Sequence, residues 1–356
     1  MTRLWTARDP DKFLRRVPVW AWQTLMHGVA RRELAYFNVD PIADVDYATD
    51  IDYAGDGTQA HRLDVITPRA SRAPRTSGLP IYVYFHGGGW TSGDKAPLTK
   101  YCASQALAGM VVVNANYRKA PRFHMGSMLQ DANAVLDWVT RNAASYGGDP
   151  QNIVLGGDSA GGHIAALITA ATHSPDLADY FDLADVAQHT RIKGLVQHCS
   201  AVDFSVMLEP GFVLSLQFIR MLIPPKYRRI RRGRSGPDAW QRPRVIRRPS
   251  ALRQAVALRH AARYLSPIEW LGPRFPPVFI STSERDYFFR ANLNFMAGLR
   301  RHGVAVDALV YDKKSRNAVH TWQQNYRHEE SQAVYRRLQD FVSTVTRSTT
   351  PGAATP

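Results

Sequence analysis

Near the middle of this chain a single serine stands among residues that, Asp158 apart, carry no side chain or only a methyl: Gly156-Gly157-Asp158-Ser159-Ala160-Gly161-Gly162. The apolar residues 153–155 ahead of it read as a buried strand, and residues 164–172 after it read as a helix. A chain that passes from strand to helix in so few residues must hold the serine in a strained turn, and only small neighbours leave room for that turn. The strain lifts the hydroxyl clear of the sheet and sets the following backbone amides at a helix N-terminus, where negative charge is favoured. Gly157 to Gly161 therefore match G-x-S-x-G in the context that pattern requires, with Ser159 as the candidate nucleophile. A glycine-rich turn with an incidental serine is the alternative reading.

The turn belongs to a longer alternation. Strand signals fall over residues 51–54, 61–67, 81–85, 110–115, 153–155, 194–198, 277–281 and 308–311. Helical signals fall over 100–109, 128–146, 164–172, 290–302 and 329–345, and Gly147-Gly148-Asp149-Pro150 stops the second of these. Such an alternation predicts an α/β fold: a mostly parallel eight-stranded sheet flanked by helices on both faces. Two regions stand outside it. Residues 1–45 mix tryptophans and leucines with arginines, and residues 203–265 are far longer than an ordinary αβ connection. The expected organisation is an N-terminal helical cap segment over 1–45, a catalytic core over 46–202 and 266–347, a basic cap insertion over 203–265, and a small polar tail over 348–356, expected to be disordered.

Strand 81–85 ends directly in His86-Gly87-Gly88-Gly89-Trp90. Three glycines let a backbone turn its amides toward a substrate where any Cβ would obstruct. With one N–H from the residue after the nucleophile, such a loop forms an oxyanion hole, whose donors are expected to be Gly88, Gly89 and Ala160. His86 is expected to bond the loop backbone rather than act as a base. A phosphate-binding loop is the rival, but neither G-x-G-x-x-G nor GxxxxGK[ST] occurs at this strand. Asp158, beside the nucleophile, either orients this loop or is a solvated carboxylate.

A serine nucleophile of this kind needs a base and an acid, which follow it in the order Ser, Asp/Glu, His at the ends of later strands. Of the 12 histidines only His302, His320 and His328 lie beyond the acid candidates. His302 ends a helix and His328 opens one, which leaves His320, in the loop after the last strand, as the general base. Glu284 and Asp286, after strand 277–281, compete for the acid.

Together these residues resemble the hormone-sensitive-lipase-like branch of the α/β hydrolases, over about residues 80–345 with the insertion omitted. His86 to Trp90 is similar to that family's HGGG signature, Tyr117-Arg118 to Pro121 to its Y-R-L-A-P segment with Lys119 for Leu, and Gly157 to Gly162 to its G-D-S-A-G-G. The family's acid stands in a D-P-L segment ahead of a helix ending in R-x-G. Counting back from Arg301-His302-Gly303 selects Asp286 over Glu284, with Tyr287-Phe288 in place of Pro-Leu. The base, often followed by Gly-Phe in the family, is followed here by Thr321-Trp322. The resemblance implies a triad of Ser159, His320 and Asp286, no metal or cofactor, and a cap over the site. The expected activity is hydrolysis of short- to medium-chain acyl esters through an acyl-enzyme, with a small-molecule ester or lipid as substrate. An amidase or aryl-formamidase on the same scaffold is the alternative, and a non-enzymatic binding module is disfavoured because each triad residue type is present.

Charge adds one further expectation. The chain carries +15, and ten of the 23 residues from Lys226 to Arg248 are Lys or Arg. Such a block is a solvated loop or a patch for peripheral contact with an anionic membrane surface; nucleic acid is disfavoured because no recognised module accompanies it. No apolar run suits a signal peptide or a membrane span, so a cytoplasmic protein is expected, with a membrane-peripheral one as the alternative. The two cysteines, Cys102 and Cys199, are expected to be free thiols, and no CxxC or local His/Cys cluster suggests zinc.

Overall fold

The computed structural model describes residues 17–38, 40–69, 78–186, 192–208, 215–228 and 261–347. Its centre is an eight-stranded sheet in the order β1-β2-β4-β3-β5-β6-β7-β8. The strands are β1 (Val45–Asp52), β2 (Arg62–Pro68), β3 (Leu79–Phe85), β4 (Val111–Ala115), β5 (Gly148–Asp158), β6 (Ile192–His198), β7 (Val278–Ser283) and β8 (Val306–Tyr311). β1 and β2 pair antiparallel, as do β2 and β4, and the remaining pairs are parallel. The α/β-hydrolase fold with its mostly parallel sheet, expected from the alternation and the resemblance, is what the chain adopts.

The central strands read as unbroken apolar runs because helices cover both faces. In β3, Ile81, Val83 and Phe85 join the core beneath α3 (Met125–Asn142) and α4 (Ser159–Ala171). Tyr82 and Tyr84 point the other way, toward α2 (Thr99–Ala106) and α8 (Glu329–Thr346). Period-two alternation thus distributes one strand between two cores.

Three elements depart from the expected bounds. β1 begins at Val45 rather than near residue 51, and only Val45 of its residues is buried. An edge strand is held by backbone pairing to β2, so its side chains need not be apolar and an apolar scan passes over it. The helix expected to run to residue 146 ends at Asn142, followed by one 3₁₀ turn to Tyr146; Gly147 stops that turn in the left-handed conformation, as expected, and Gly148 already opens β5. Residues 175–181 form a helix, α5 (Pro175–Phe181), with no counterpart in the sequence reading.

Helix α1 (Val17–Phe37) occupies part of the N-terminal segment, and Gln23 donates to the carbonyls of Thr91 and Ala120 beside the His-Gly-Gly-Gly loop. Within the insertion, α6 (Ser215–Leu222) is described, with Phe218 buried. Most of the basic block, Arg229, Arg231 and Arg232 included, lies outside the described residues, as do Phe212, Leu214 and the 348–356 tail. No helix among the described residues is long and apolar enough to cross a membrane. Cys102 and Cys199 are buried free thiols.

Candidate active site

Parallel pairing sends the carboxyl ends of β3, β5, β7 and β8 to one edge of the sheet, and each delivers part of the site there. Ser159 is the first residue of α4, directly after β5, with φ of +50°. A non-glycine residue in that region stores roughly 1–3 kcal/mol, which the surrounding packing must hold. That packing is close: a Cβ on Gly161 would run into the carbonyl oxygens of Phe85 and His86, and one on Gly162 into the Ser200 hydroxyl. Here the small neighbours are required by contact between the nucleophile turn and the end of β3, its paired neighbour.

The loops after β7 and β8 meet in a single bridge between Arg285 and Val319. The next residue on each side is Asp286 or His320, so one pairing brings these two side chains together. His320 Nε2 lies 3.0 Å from Ser159 Oγ, and Nδ1 lies 2.6 Å from Asp286 Oδ1. Asp286 also accepts hydrogen bonds from the Thr282 hydroxyl at 3.0 Å and the Phe288 amide at 3.2 Å. Its side chain is fully buried while that of His320 is 21% exposed. The arrangement can carry a proton from the serine to the ring, with the carboxylate fixing the tautomer. Glu284 is exposed and accepts from the Lys313 amide, away from the imidazole. His302 caps a helix C-terminus and His328 an N-terminus.

The loop after β3 is built to present amides. Gly88 and Gly89 have φ of +118° and +59°, and among the described residues neither amide donates to the protein. Ala160 lies in the first turn of α4, where amides have no intrahelical acceptor. The loop is tied by the Thr91 and Ser92 amides and the Ser92 hydroxyl, all donating to the Gly88 carbonyl. Asp158 is buried and accepts from the Gly87 amide at 3.0 Å and the Tyr84 hydroxyl at 2.8 Å, so it anchors this loop rather than facing solvent. Burial pushes its carboxyl up to about 6. His86 bonds the Gly87 carbonyl through Nδ1 and stacks on Tyr117; burial holds it at about 3, so it is neutral and no base.

A family model described as the alpha/beta hydrolase fold matches residues 82–324, well over half the chain. The chain belongs to the α/β-hydrolase family. Its relatives bear out the resemblance to carboxylesterases and lipases: it is 36% identical over 134 residues to the esterase LipQ of Mycobacterium tuberculosis, covering 37% of this chain and 31% of that protein. It is 43% identical over 91 residues to the carboxylesterase NlhH of the same species, covering 25% of this chain and 28% of that one. The matched stretches thus span about a third of those relatives' length. Among solved structures, esterase B from Lactobacillus rhamnosis superposes with a TM-score of 0.75 at 19% identity, over 93% of this chain and 96% of that one. The thermophilic carboxylesterase EstE1, cloned from a metagenomic library, does so at 0.63 and 20%, over 92% and 98%.

The buried histidines His163 and His198 of this α/β hydrolase's site were not singled out from the sequence. Trp90 donates from Nε1 to His163 at 3.0 Å, and the other ring nitrogen of His163 bonds the Leu265 carbonyl at 2.6 Å. His163 stands one helical turn after Ser159, so this chain of bonds joins the loop after β3, α4 and Leu265. Burial lowers His163 to about 3, which keeps it neutral. Phe204 and Phe218 pack on Trp90 with ring centroids 5.8 and 5.7 Å away. The Tyr287 and Phe288 rings, which replace the family's Pro-Leu, lie 4.9 and 5.8 Å from His320. Behind them His198, Ser281, Gln323 and Cys199 form a buried polar cluster. Position on alternating strand faces could have hinted at His198 and Ser281, on neighbouring strands; the meeting of the others is a product of the tertiary fold.

Proposed function

We propose that this α/β hydrolase is a serine carboxylesterase that cleaves short- to medium-chain acyl esters. The observation that carries the proposal is the continuous relay from Ser159 Oγ through His320 to Asp286, at 3.0 and 2.6 Å. Ser159 attacks the ester carbonyl as His320 takes its proton, and Asp286 stabilises the imidazolium. The amides of Gly88, Gly89 and Ala160 receive the oxyanion, each such donor typically contributing about 3 kcal/mol to the transition state. His320 returns the proton to the departing alcohol, then activates the water that releases the acid. The Trp90, Phe204 and Phe218 rings support the shorter chain lengths, because they occupy the space next to the oxyanion loop. Helix α1 and the 203–265 insertion form the cap in this reading.

A series of p-nitrophenyl esters of increasing acyl length, set beside a formanilide, tests both the class and the chain length. Hydrolysis should be fastest for the shorter esters and slow for the anilide. Ser159→Ala should lower kcat by roughly 10⁴–10⁶-fold, and a fluorophosphonate should label Ser159 alone. Turnover of the anilide above every ester would move the assignment to an amidase, and wild-type rates in Ser159→Ala would end the serine mechanism.

A further inference from the structure

The proton relay uses Asp286 and His320 but has no part for the thiol beside them. Cys199 directly follows β6, with φ of +50°, and is fully buried. Its sulfur, a carboxylate oxygen of Asp286 and a ring nitrogen of His320 all lie within 4.8 Å of one another. We propose that Cys199, Asp286 and His320 form a binding site for a borderline-soft divalent cation, of which Zn²⁺ is the type, and that its occupation switches the hydrolase off.

The donor set carries the argument. Sulfur, imidazole and carboxylate are the ligands such cations prefer over calcium or magnesium, which select oxygen. Donors around tetrahedral zinc stand roughly 3.3–3.6 Å apart, given Zn–S near 2.3 Å and Zn–N and Zn–O near 2.0–2.2 Å. The three atoms lie within 4.8 Å of one another, with Nδ1 and Oδ1 2.6 Å apart, so closing on an ion asks the His320–Asp286 pair to spread and the sulfur to move in by side-chain adjustment. The sulfur already has partners, the Gln323 amide at 3.6 and 3.9 Å, the Thr321 amide and Asp286, and the ion takes their place. The ion enters from the side on which His320 is exposed and keeps a fourth position for water. Binding breaks the His320–Asp286 hydrogen bond and expels the thiol proton to solvent. The imidazole proton leaves Nδ1, which turns to the metal, and is taken up at Nε2. Nε2 then presents a donor to Ser159 where the reaction needs an acceptor, so kcat falls while ester binding persists.

The inhibition rests on the esterase reading; the binding does not. Titrating the parent with Cd²⁺ should produce the ultraviolet charge-transfer band of a cadmium thiolate with one equivalent bound. The band should vanish in Cys199→Ala and Cys199→Ser but persist in Cys102→Ala, whose sulfur belongs to no such cluster among the described residues. Zn²⁺ should inhibit parent hydrolysis through kcat, reversibly with a chelator, and Cys199→Ala should need at least about tenfold more Zn²⁺, since even an outer partner's loss costs metal sites that much. A band that survives in both Cys199 variants, the lack of a band in the parent, or equal Zn²⁺ sensitivity of parent and Cys199→Ala overturns the site. A Cys199-dependent band in a chain that hydrolyses no ester would leave the site standing and remove the esterase reading instead.

Discussion

Asp286 and Glu284 are two residues apart, and only one can serve the imidazole. Asp286 is buried with Oδ1 at 2.6 Å from His320 Nδ1, whereas Glu284 is exposed and occupied by the Lys313 amide. Asp286→Asn should therefore lower kcat by about 10⁴-fold, the loss seen when the equivalent carboxylate of another triad becomes an amide and leaves the wrong tautomer. Glu284→Gln should leave kcat within about twofold, since surface substitutions of this kind act weakly. Steady-state kinetics of the pair decides, and the opposite ranking would transfer the acid role to Glu284. Asp158 acts one step further out. Both the Gly87 amide and the Tyr84 hydroxyl donate to the same oxygen, Oδ1, which an asparagine can reproduce. Asp158→Asn should thus keep most of the parent kcat, while Asp158→Ala frees the oxyanion loop and should lose ~10–100-fold, equivalent to about 1–3 kcal/mol for an unmade buried hydrogen bond. Equal rates in the two variants would mean the loop holds its shape without this anchor.

At the scale of the element, the nucleophile turn and the end of β3 are one packed unit. Gly161→Ala places a Cβ against the Phe85 and His86 carbonyls, backbone atoms that cannot rotate away. The turn must shift or the pairing of Phe85 with Gly157 must open, so a loss of more than about 3 kcal/mol in stability is expected, at the level of severe overpacking. Chemical denaturation measures it, and a variant as stable as the parent would show that β3 and α4 are less tightly apposed. Elements were legible from sequence in proportion to their burial. β3 and β5 are covered on both faces and announce themselves as apolar runs, whereas β1 has a solvated edge and was placed six residues late at its start. The helix α5 escaped because it is short, seven residues, and its apolar side is small.

For the whole molecule, the buried histidines set how stability depends on acid. Burial holds His86, His163 and His198 at about 3, against 6.5 when exposed, so the fold keeps them neutral at pH 5 while the unfolded chain protonates them. Unfolding takes up those protons, and stability falls as pH drops from 6.5 toward 3. Asp158 opposes this. Its carboxyl is raised from 3.8 to about 6, so unfolding releases its proton between those values and its share of stability rises as pH falls. Three histidines against one carboxyl leave about two protons net, or about 2.7 kcal/mol lost per pH unit between 6 and 4.5. Urea unfolding at stepped pH reads that slope, and a stability that held level or rose on acidification would contradict neutral, buried histidines. By itself, the sequence determined the sheet order class, the strained serine turn, the glycine loop and the position of His320 after the last strand, because these are local patterns of period, size and order along the chain. The resemblance had already selected Asp286 over Glu284; the tertiary structure alone decided that Asp158 anchors the glycine loop after β3, and that Cys199 stands beside Asp286 and His320. Those outcomes depend on which strands are neighbours and on the single bridge between Arg285 and Val319, distances through space that no spacing along the chain encodes.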